Sequence, residues 1–449
     1  MARSPKLSRA LLSSALLVSV LCTFMPAQSR AGDAINGVWD QLTPAGTLPP
    51  GRKYFGAIYD PLRDRLIVVG KFPLDLYTPE KTWSCSFSGP PAWTELTPIH
   101  PYARAFNAGI YDPLRDRMLV YGGNDGDPVD SYYPEVRQFL LSTSSWGSPV
   151  SVAGTVPPGR NSPTLIYDPV RDRMLVFGGN LKDSGTTQEL WQLSLSGTPT
   201  WTHLAPAGTP PSSGGAIYDP IRDRMLVFGS GTNQVWQLSL TGTPTWTLLA
   251  PTGTPPSARS RPSLIYDPVR DRMVIFAGYD AANINLQKND VWALSLAGTP
   301  AWSELHPLGP VPAPREGHRA VYDALRDRMV IYGGFSAASP EDLWALSWAT
   351  TTGVDSGERN GLVLRIANPI TAAGTVEFSL PNPGTARVAI YDIRGARVRT
   401  LVDGPVSAGA QQVRWDRTTD RGERVRTGVF FVHLQSDAGA LTRRVLLID

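Results

Sequence analysis

The chain has 449 residues, which is too long for one ordinary hydrophobic core, so two or more modules are expected. Its 42 glycines, 41 prolines and 13 tryptophans favour many short strands joined by tight turns and argue against a helical protein. The formal net charge of +3 comes from the N-terminal segment, because residues 32–449 carry 38 basic and 39 acidic side chains, a balance that excludes a basic surface for nucleic acid.

The first 31 residues have the pattern of a secretory signal peptide. Three basic side chains precede an apolar run over residues 10–24, and Ser29 and Ala31 supply small residues at the cleavage positions. The apolar run is short for a helix that spans a bilayer. We therefore expect an exported protein, secreted or at the cell surface, with no transmembrane segment after cleavage.

A thirteen-residue segment occurs six times along the chain. It begins with Tyr, continues through a turn of the form Asp-Pro-x-Arg-Asp-Arg, with Ala in place of Pro in the sixth copy, and ends in a β-branched or aromatic run. The six copies begin at Tyr59, Tyr111, Tyr167, Tyr218, Tyr266 and Tyr322. Their spacings of 52, 56, 51, 48 and 56 residues indicate a repeat architecture. Because an active site is normally built once, the six Arg-Asp-Arg turns are interpreted as structural turns with ion pairs.

Each repeat contains four strand-like pieces separated by glycine and proline turns. In the third repeat these pieces lie at residues 164–167, 173–177, 190–195 and 200–204. In the third piece, Trp191 and Leu193 alternate with polar residues, which is the period of a strand with one buried face. Four antiparallel strands in about fifty residues, six times over, predict a six-bladed β-propeller.

Residues 35–349 resemble the kelch-repeat propellers. The features that carry the resemblance are the glycine pairs that begin at Gly122, Gly178 and Gly333, together with a tryptophan further along the unit. The other three repeats depart from the pair, with Gly70-Lys71, Gly229-Ser230 and Ala277-Gly278 at this place. The resemblance implies an all-β fold, a six-bladed kelch-type β-propeller.

The two ends of this region predict how the ring of blades closes. The first unit opens with an unpaired fourth strand around Trp39, and the last unit ends after its third strand, at residues 342–347. We expect the N-terminal strand to complete the last blade, because an open ring would leave exposed strand edges.

Strand direction assigns the loops to two faces. The Asp-Pro turns and the Gly-Thr-Pro turns fall on one face, here called the Asp-Pro face. The loops after the glycine pairs fall on the other, here called the variable face, where the segments from Asn124, Asn180 and Tyr279 differ in sequence. Binding is expected on the variable face, because specificity usually resides in variable loops of a rigid scaffold.

Residues 350–360 are polar and glycine-containing and are interpreted as a linker, followed by a β-sandwich over residues 361–449. Six apolar-alternating runs begin at Val376, Ala386, Arg397, Gln411, Gly428 and Arg443. Asn368-Pro369, Trp415-Asp416 and the run from Thr427 fall in the order found in the Ig-like domain of flagellar hook-capping proteins and in type IX-like sorting domains of exported bacterial proteins. This resemblance implies a sorting or attachment role through an export machinery. Arg417 departs from it, because glycine usually follows Trp-Asp.

An arginine stands seven residues before the tyrosine in five of the six repeats, and the fourth has Pro211 instead. These candidate binding residues are Arg52, Arg104, Arg160, Arg259 and Arg315. Strand parity places them at the mouth of the channel on the variable face. They could bind a carboxylate or an acidic sugar as a ring of guanidinium groups. The favoured interpretation is that they hydrogen-bond carbonyls between neighbouring blades, because repeat symmetry requires identical joints.

The sequence predicts no metal site and no cofactor. Asp125, Asp127 and Asp130 could supply oxygen ligands, but their spacing matches no complete calcium loop. Cys85 is the only thiol beyond the leader, so neither a disulfide nor the cross-linked copper chemistry of some kelch-type oxidases is expected.

The leading hypothesis is an exported, non-catalytic binding protein, with an extracellular protein or glycan as its ligand. The alternative is a secreted carbohydrate-active enzyme, a hydrolase or lyase with its site at the channel mouth. Two carboxylates would then have to converge there, and the candidates are Asp183, Asp280, Asp290 and Glu316.

Overall fold

The structure of the chain is a computed structural model that describes residues 36–70, 81–96, 104–124, 132–336, 341–348, 358–359, 362–366, 370, 373–392, 397–425 and 428–447. The elements in these residues are strands, and none of the described segments forms a helix that is long and apolar enough to cross a membrane. The predicted signal peptide, the aspartates at 125–130 and most of the predicted linker lie outside the described residues.

Six antiparallel sheets of four main strands form the first module. The strands of blades 1 to 3 are Gly56–Asp60, Arg65–Val69, Thr82–Ser86 and Ala92–Glu95; Ala108–Asp112, Arg117–Tyr121, Arg137–Leu140 and Ser145–Trp146; and Thr164–Asp168, Arg173–Phe177, Leu190–Ser194 and Thr200–Leu204. The strands of blades 4 to 6 are Gly214–Asp219, Arg224–Gly229, Val235–Ser239 and Thr245–Leu248; Ser263–Asp267, Arg272–Phe276, Val291–Ser295 and Ala301–Leu305; and Arg319–Asp323, Arg328–Tyr332, Leu343–Ser347 and Val38–Leu42. Ala153–Gly154 adds a short parallel strand to the edge of blade 3.

The second strand of each blade is the most buried, as its sequence requires. Arg173–Phe177 is buried at every position and lies between two other strands, so both of its faces pack against protein. The first strand of each blade contacts the first strand of the next, and Gly56–Asp60 contacts Arg319–Asp323, which closes the circle. The predicted all-β propeller followed by a sandwich is confirmed.

The sixth blade takes its fourth strand from the N-terminal end of the propeller. Val38–Leu42 pairs antiparallel with Leu343–Ser347, so that Val38 lies opposite Ser347. Trp39 is buried on this strand, with its ring centroid 5.0 Å from that of Phe276 in blade 5. The closing strand therefore contributes both backbone hydrogen bonds and a large apolar side chain.

The Asp-Pro turns join neighbouring blades through a ring of ion pairs. In blade 3, Asp168 accepts hydrogen bonds from the backbone N–H groups of Val170 (3.1 Å) and Arg171 (3.2 Å), which fixes the turn. Arg171 then donates two hydrogen bonds, of 3.0 and 2.7 Å, to Asp223 in blade 4. The same contact recurs as Arg63–Asp116, Arg115–Asp172, Arg222–Asp271, Arg270–Asp327 and Arg326–Asp64. The repeated motif therefore encodes a closed ring of interblade clamps.

On the variable face, the glycine pairs connect neighbouring blades through a backbone hydrogen bond. The backbone N–H of Gly123 donates to the carbonyl of Arg160 in the next blade (2.9 Å), and Gly123 has a left-handed φ of 88°. In the fifth repeat Gly278 makes the same bond to Arg315 (3.0 Å), although Ala277 precedes it. The second glycine of the pair is therefore the one that the joint uses.

The C-terminal module is a sandwich of two four-stranded sheets. One sheet contains Glu358–Arg359, Leu362–Ile366, Gly374–Leu380 and Gly409–Trp415, and the other contains Arg397–Val406, Gly384–Asp392, Gly428–Ser436 and Gly439–Leu447. Trp415 lies fully buried in the core between them. Two strands differ from expectation: Leu362–Ile366 was not among the six runs, and Glu358–Arg359, inside the predicted linker, pairs with it. Arg417 has a φ of 65°, the conformation that glycine adopts freely, which explains why the related domains have glycine there.

Candidate binding site at the channel mouth

The five arginines predicted as a ring are each at most 4% exposed, and their guanidinium groups point into the protein. In blade 3, Arg160 donates through Nη1 to the carbonyl of Gly178 (3.1 Å) and through Nη2 to Oε2 of Glu189 (2.8 Å). In blade 5, Arg259 makes a two-pronged pair with Asp290, at 2.6 and 2.7 Å. The other members also bond protein atoms: Arg52 to the Gly70 carbonyl, Arg104 to Glu135, and Arg315 to Asp342.

In repeats 3, 5 and 6 the acidic partner is held by a tryptophan two residues further along. Trp191 Nε1 donates to Glu189 (3.0 Å), and Trp292 Nε1 donates to Asp290 (2.7 Å). Burial raises the pKa of Asp290, but the Arg259 guanidinium outweighs it and holds that pKa below its ordinary value. Arg160, Arg259 and Arg315 thus each belong to an arginine–acid–tryptophan unit inside their own blade. In blade 2 the acid Glu135 is contacted by Arg137 instead of a tryptophan, and in blade 1 Arg52 donates to the carbonyls of Pro50 and Gly70.

Sequence reasoning named Asp290 as a candidate catalytic acid but missed the pairing of these acids with the arginines, although a signal for it exists. Glu189, Asp290 and Asp342 each stand two residues before the tryptophan of the third strand. In the fourth repeat, Pro211 replaces the arginine and Gln234 replaces the acid, so both charges are absent together. A ligand-binding role for the five arginines stays a prediction, and the contacts above give every one of them a partner within its blade.

A second ring of residues lies two positions after the arginines, where the chain enters the innermost strands. These residues have left-handed φ angles of 57°, 59°, 49°, 56° and 66° at Tyr54, Phe106, Ser162, Arg261 and Gly317. Backbone hydrogen bonds connect neighbouring members, such as Tyr54 N–H to the Gly317 carbonyl (2.9 Å) and Ser162 N–H to the Phe106 carbonyl (2.8 Å). We call these five residues the mouth ring.

Side chains from four blades converge at the mouth ring. The Tyr54 hydroxyl lies 2.8 and 2.6 Å from the two carboxylate oxygens of Glu316, and Arg261 Nη1 lies 3.3 Å from Glu316 Oε2 and contacts the same hydroxyl. The Arg261 guanidinium also covers the Tyr54 ring, 4.5 Å from its centroid. Phe106 also stacks on the Tyr54 ring, with the two ring centroids 5.0 Å apart and the ring planes at 16° to each other. We call Tyr54, Phe106, Arg261 and Glu316 the mouth cluster.

Burial and charge set the protonation of this cluster. Burial raises the pKa of Tyr54, and the hydrogen bond to Glu316 raises it further, so the hydroxyl remains a donor at neutral pH. Tyr54 and Glu316 are buried, whereas the side chain of Arg261 is 48% exposed. Lys53 lies beside the cluster, with Nζ 4.3 Å from the centre of the exposed Phe335 ring. The accessible part of the site is therefore aromatic and cationic.

Two further side chains of blade 6 lie beneath the mouth. Arg319 donates hydrogen bonds to the backbone carbonyls of Phe55 and Asn107, in blades 1 and 2, and burial lowers its pKa to about 10, so it stays charged at neutral pH. His318 is buried with Nε2 2.6 Å from Ser263 Oγ. Burial holds the pKa of His318 well below its ordinary value, so the imidazole is neutral at neutral pH.

Three of the four carboxylates proposed for an enzyme form ion pairs with basic side chains, and the fourth lies in an exposed turn. Asp280 pairs with Lys288 at 2.9 Å, Asp290 pairs with Arg259, and Glu316 contacts Arg261. Asp183 lies in the exposed turn between the strands Asn180–Leu181 and Gly185–Thr186. In the described parts of the chain, no three His, Cys, Asp or Glu side chains come together as a metal site would require, and Cys85 is buried within a strand.

Comparison with known proteins matches each module separately. Residues 220–355 match the KLHDC2/KLHL20/DRC7 Kelch-repeats domain, and residues 367–439 match the FlgD Ig-like domain. Host cell factor 2 of Homo sapiens is 28% identical over 266 residues, which are 56% of this chain and 27% of that protein. The chain therefore spans about a quarter of the length of this relative.

Two solved structures share the fold. The structure of YjhT covers 67% of this chain and 94% of its own, with a TM-score of 0.50 and 15% sequence identity. A fungal alcohol oxidase in complex with copper covers 87% of this chain and 85% of its own, with a TM-score of 0.50 and 16% identity. At these identities the likeness shows the fold alone. The chain carries a kelch-repeat propeller and, C-terminal to it, an Ig-like domain of the flagellar hook-capping type.

Proposed function

We propose that this chain is an exported binding protein whose propeller binds an extracellular protein through the mouth cluster. The observation that carries the proposal is the divergence of the repeats at the mouth ring. The Asp-Pro turns are nearly the same in all six repeats, whereas the mouth-ring position holds tyrosine, phenylalanine, serine, arginine and glycine in five of them. Structural symmetry alone would favour one residue type there.

Backbone strain supports a functional reading of the same position. A left-handed φ costs a residue with a side chain about 1–2 kcal/mol relative to the right-handed region, and glycine avoids this cost. Tyr54, Phe106 and Arg261 nevertheless occupy it, and Gly317 shows that glycine fits the position. Strain of this kind tends to persist at binding and catalytic sites.

The chemistry of the mouth cluster fits a protein ligand. Tyrosine and arginine are enriched among the residues that dominate protein–protein binding energy, particularly where a rigid aromatic surface is preorganised. Phe106 stacks on a buried Tyr54, which holds its ring in place, and Arg261 is half-exposed beside it. Arg261 donates through Nη1 to the Tyr54 hydroxyl and to Glu316, while about half of its side chain remains exposed to a ligand. We expect the ligand to present an apolar side chain next to an acidic one.

The kelch-repeat match and the likeness to host cell factors support a protein-interaction role for the propeller. The export step rests on the N-terminal pattern of residues 1–31, and display or sorting rests on the match of the C-terminal module. In this proposal the sandwich connects to an export or attachment machinery, and the propeller faces the ligand.

The test is a binding screen of the mature chain against extracellular proteins and glycans, followed by variants. Arg261→Ala and Phe106→Ala should each weaken binding of a captured protein by about tenfold or more, with the fold retained. Asp183→Ala, an exposed position on the same face, is the matched control and should bind like the parent. Unchanged affinity of both mouth variants would refute the proposal, and capture of glycans with bond cleavage would favour the enzyme.

A further inference from the structure

The Asp-Pro face carries a second, independent feature, an exposed ring of aliphatic side chains. The residue after Asp-Pro is aliphatic in five repeats, and in the sixth, which has Asp323-Ala324 instead, Leu325 stands at the same place. Five of these side chains are exposed: Leu62 (44%), Leu114 (64%), Val170 (60%), Ile221 (59%) and Val269 (50%). The sixth, Leu325, is partly buried against the core of blade 1. We call the five exposed residues the aliphatic ring.

The turn itself does not require an aliphatic residue at this position. In blade 3 the turn is held by the carboxylate of Asp168, which accepts from the backbone N–H of Val170, and by the arginines on either side of Asp172. The Val170 side chain takes no part in these bonds, so a polar residue would serve the turn equally well. An apolar residue that recurs at an exposed position indicates a surface that another domain or protein contacts.

The chain leaves the propeller at the same face. In the last blade, Ser347 pairs with Arg328, and Arg328 pairs with Asp323 of the Asp-Pro-type turn. The backbone N–H of Trp348 then donates to the carbonyl of Asp327 in that turn (3.1 Å). Nine residues, 349–357, separate this point from the first strand of the sandwich, and they can reach at most about 35 Å.

The sandwich supplies apolar residues that face two members of the ring. A cavity of about 700 Å³ is lined by Leu62 and Leu114 on the propeller side and by Val398, Val425 and Phe430 on the sandwich side. A tether of this length keeps the two surfaces at an effective concentration of about millimolar, so even a weak apolar contact is populated.

From these observations we infer that the aliphatic ring is the docking surface for the chain's own C-terminal sandwich. The occupant is the tethered sandwich, because the chain exits at this face and because its apolar residues line the opposite wall of the cavity. Docking there leaves the variable face open. The attachment module and the mouth cluster then lie at opposite ends of the propeller, whatever ligand the mouth binds.

The test uses the full chain with Leu62→Asp and Leu114→Asp together, the two ring members that line the cavity. If the sandwich docks on the ring, limited proteolysis between residues 349 and 361 should become about tenfold faster, because charged side chains weaken the docked state. The radius of gyration from small-angle scattering should rise as well. Ile284→Asp with Leu286→Asp, two exposed aliphatic residues on the variable face, is the matched control and should change neither value.

Unaltered melting of the propeller establishes that the double variant is folded. Equal cleavage rates and equal radii for the parent and the folded double variant would overturn the inference. A parent that is dimeric, with a monomeric double variant and unchanged linker cleavage, would also overturn it and identify a second copy as the occupant. Binding at the mouth is measured separately and is expected to be unaffected.

Discussion

Arginine stabilises this propeller in two different ways at its two faces. On the Asp-Pro face, Arg171 and its equivalents reach the next blade and close a ring of six ion pairs. On the variable face, Arg160, Arg259 and Arg315 stay within a blade and bind a buried carbonyl and an acid. The first set resists separation of the blades, and the second shapes the segment that leads into the mouth ring.

Loss of one internal arginine should cost stability. Arg259→Ala leaves Asp290 partly buried without its cation, which should lower the free energy of unfolding by about 2–4 kcal/mol in urea titration. The double variant Arg259→Ala with Asp290→Gln resembles the fourth repeat, where Gln234 replaces the acid, and should recover part of the loss. A single variant within about 0.5 kcal/mol of the parent would contradict this role.

The strain at the mouth ring can be measured at Ser162, which is exposed and has a φ of 49°. Ser162→Gly should raise the free energy of unfolding by about 0.5–1 kcal/mol, because relief of about 1–2 kcal/mol of strain exceeds the entropy that glycine adds to the unfolded chain. Ser196→Gly is the control, an exposed serine without a left-handed φ, and should be destabilising. Equal effects at the two positions would argue against strain.

His318 should make the propeller sensitive to acid. Its pKa is lowered in the folded state, so below pH about 6.5 the unfolded chain binds a proton that the folded chain excludes. Stability is therefore present above this pH and falls as the pH drops, by at most about 1.4 kcal/mol per pH unit. His318→Gln should flatten the decline in urea titrations between pH 6.5 and 4.5. His433→Gln, in the sandwich, is the control, because the pKa of His433 is also lowered by burial and its loss should leave the propeller's profile unchanged.

At the scale of elements, ring closure depends on one strand. Val38–Leu42 gives blade 6 its fourth strand, and it brings Trp39 into contact with Phe276 and Trp344. Without this strand, Leu343–Ser347 would become an exposed edge with unpaired backbone groups.

Deletion of residues 36–44 should therefore lower the melting temperature sharply or cause aggregation. Trp39→Ala, which keeps the backbone pairing, should cost about 3–5 kcal/mol through the cavity alone and should remain soluble. The deletion is expected to be the more damaging of the two in thermal unfolding followed by circular dichroism. A deletion variant that melts like the parent would show that the closing strand is dispensable.

At the scale of the whole molecule, the propeller and the sandwich have separate hydrophobic cores. The sandwich core is centred on Trp415, and the propeller cores form between neighbouring blades, as around Trp201 between blades 2 and 3. No residue of one module belongs to a core cluster of the other in the described chain.

Calorimetry of the full chain should consequently show two transitions. Trp415→Ala should lower one of them and Trp201→Ala the other, each by the loss of about 3–5 kcal/mol expected for a buried tryptophan. Docking through the aliphatic ring would couple the transitions only weakly. A single transition that both variants shift equally would mean that the two modules unfold as one unit.

The amino-acid sequence by itself determined the repeat architecture. The recurring Tyr-Asp segment predicts the six blades, and in blade 3 the predicted strands agree with the observed ones to within one residue at each end. Strand parity also places Arg52 and Arg259 at the same face. These features depend on local periodicity and turn chemistry, which the chain carries within about fifty residues.

Only the tertiary structure decided which residues form the site. Tyr54 and Glu316 are 262 residues apart in the chain, and Tyr54 and Arg261 are 207 apart, so closure of the ring brings them together. The same holds for the arginines of the predicted ring. All five are buried, and Arg160, Arg259 and Arg315 pair with the acid that stands two residues before a tryptophan. A repeat motif specifies which positions are equivalent, whereas the direction of a side chain at such a position depends on what its neighbours offer.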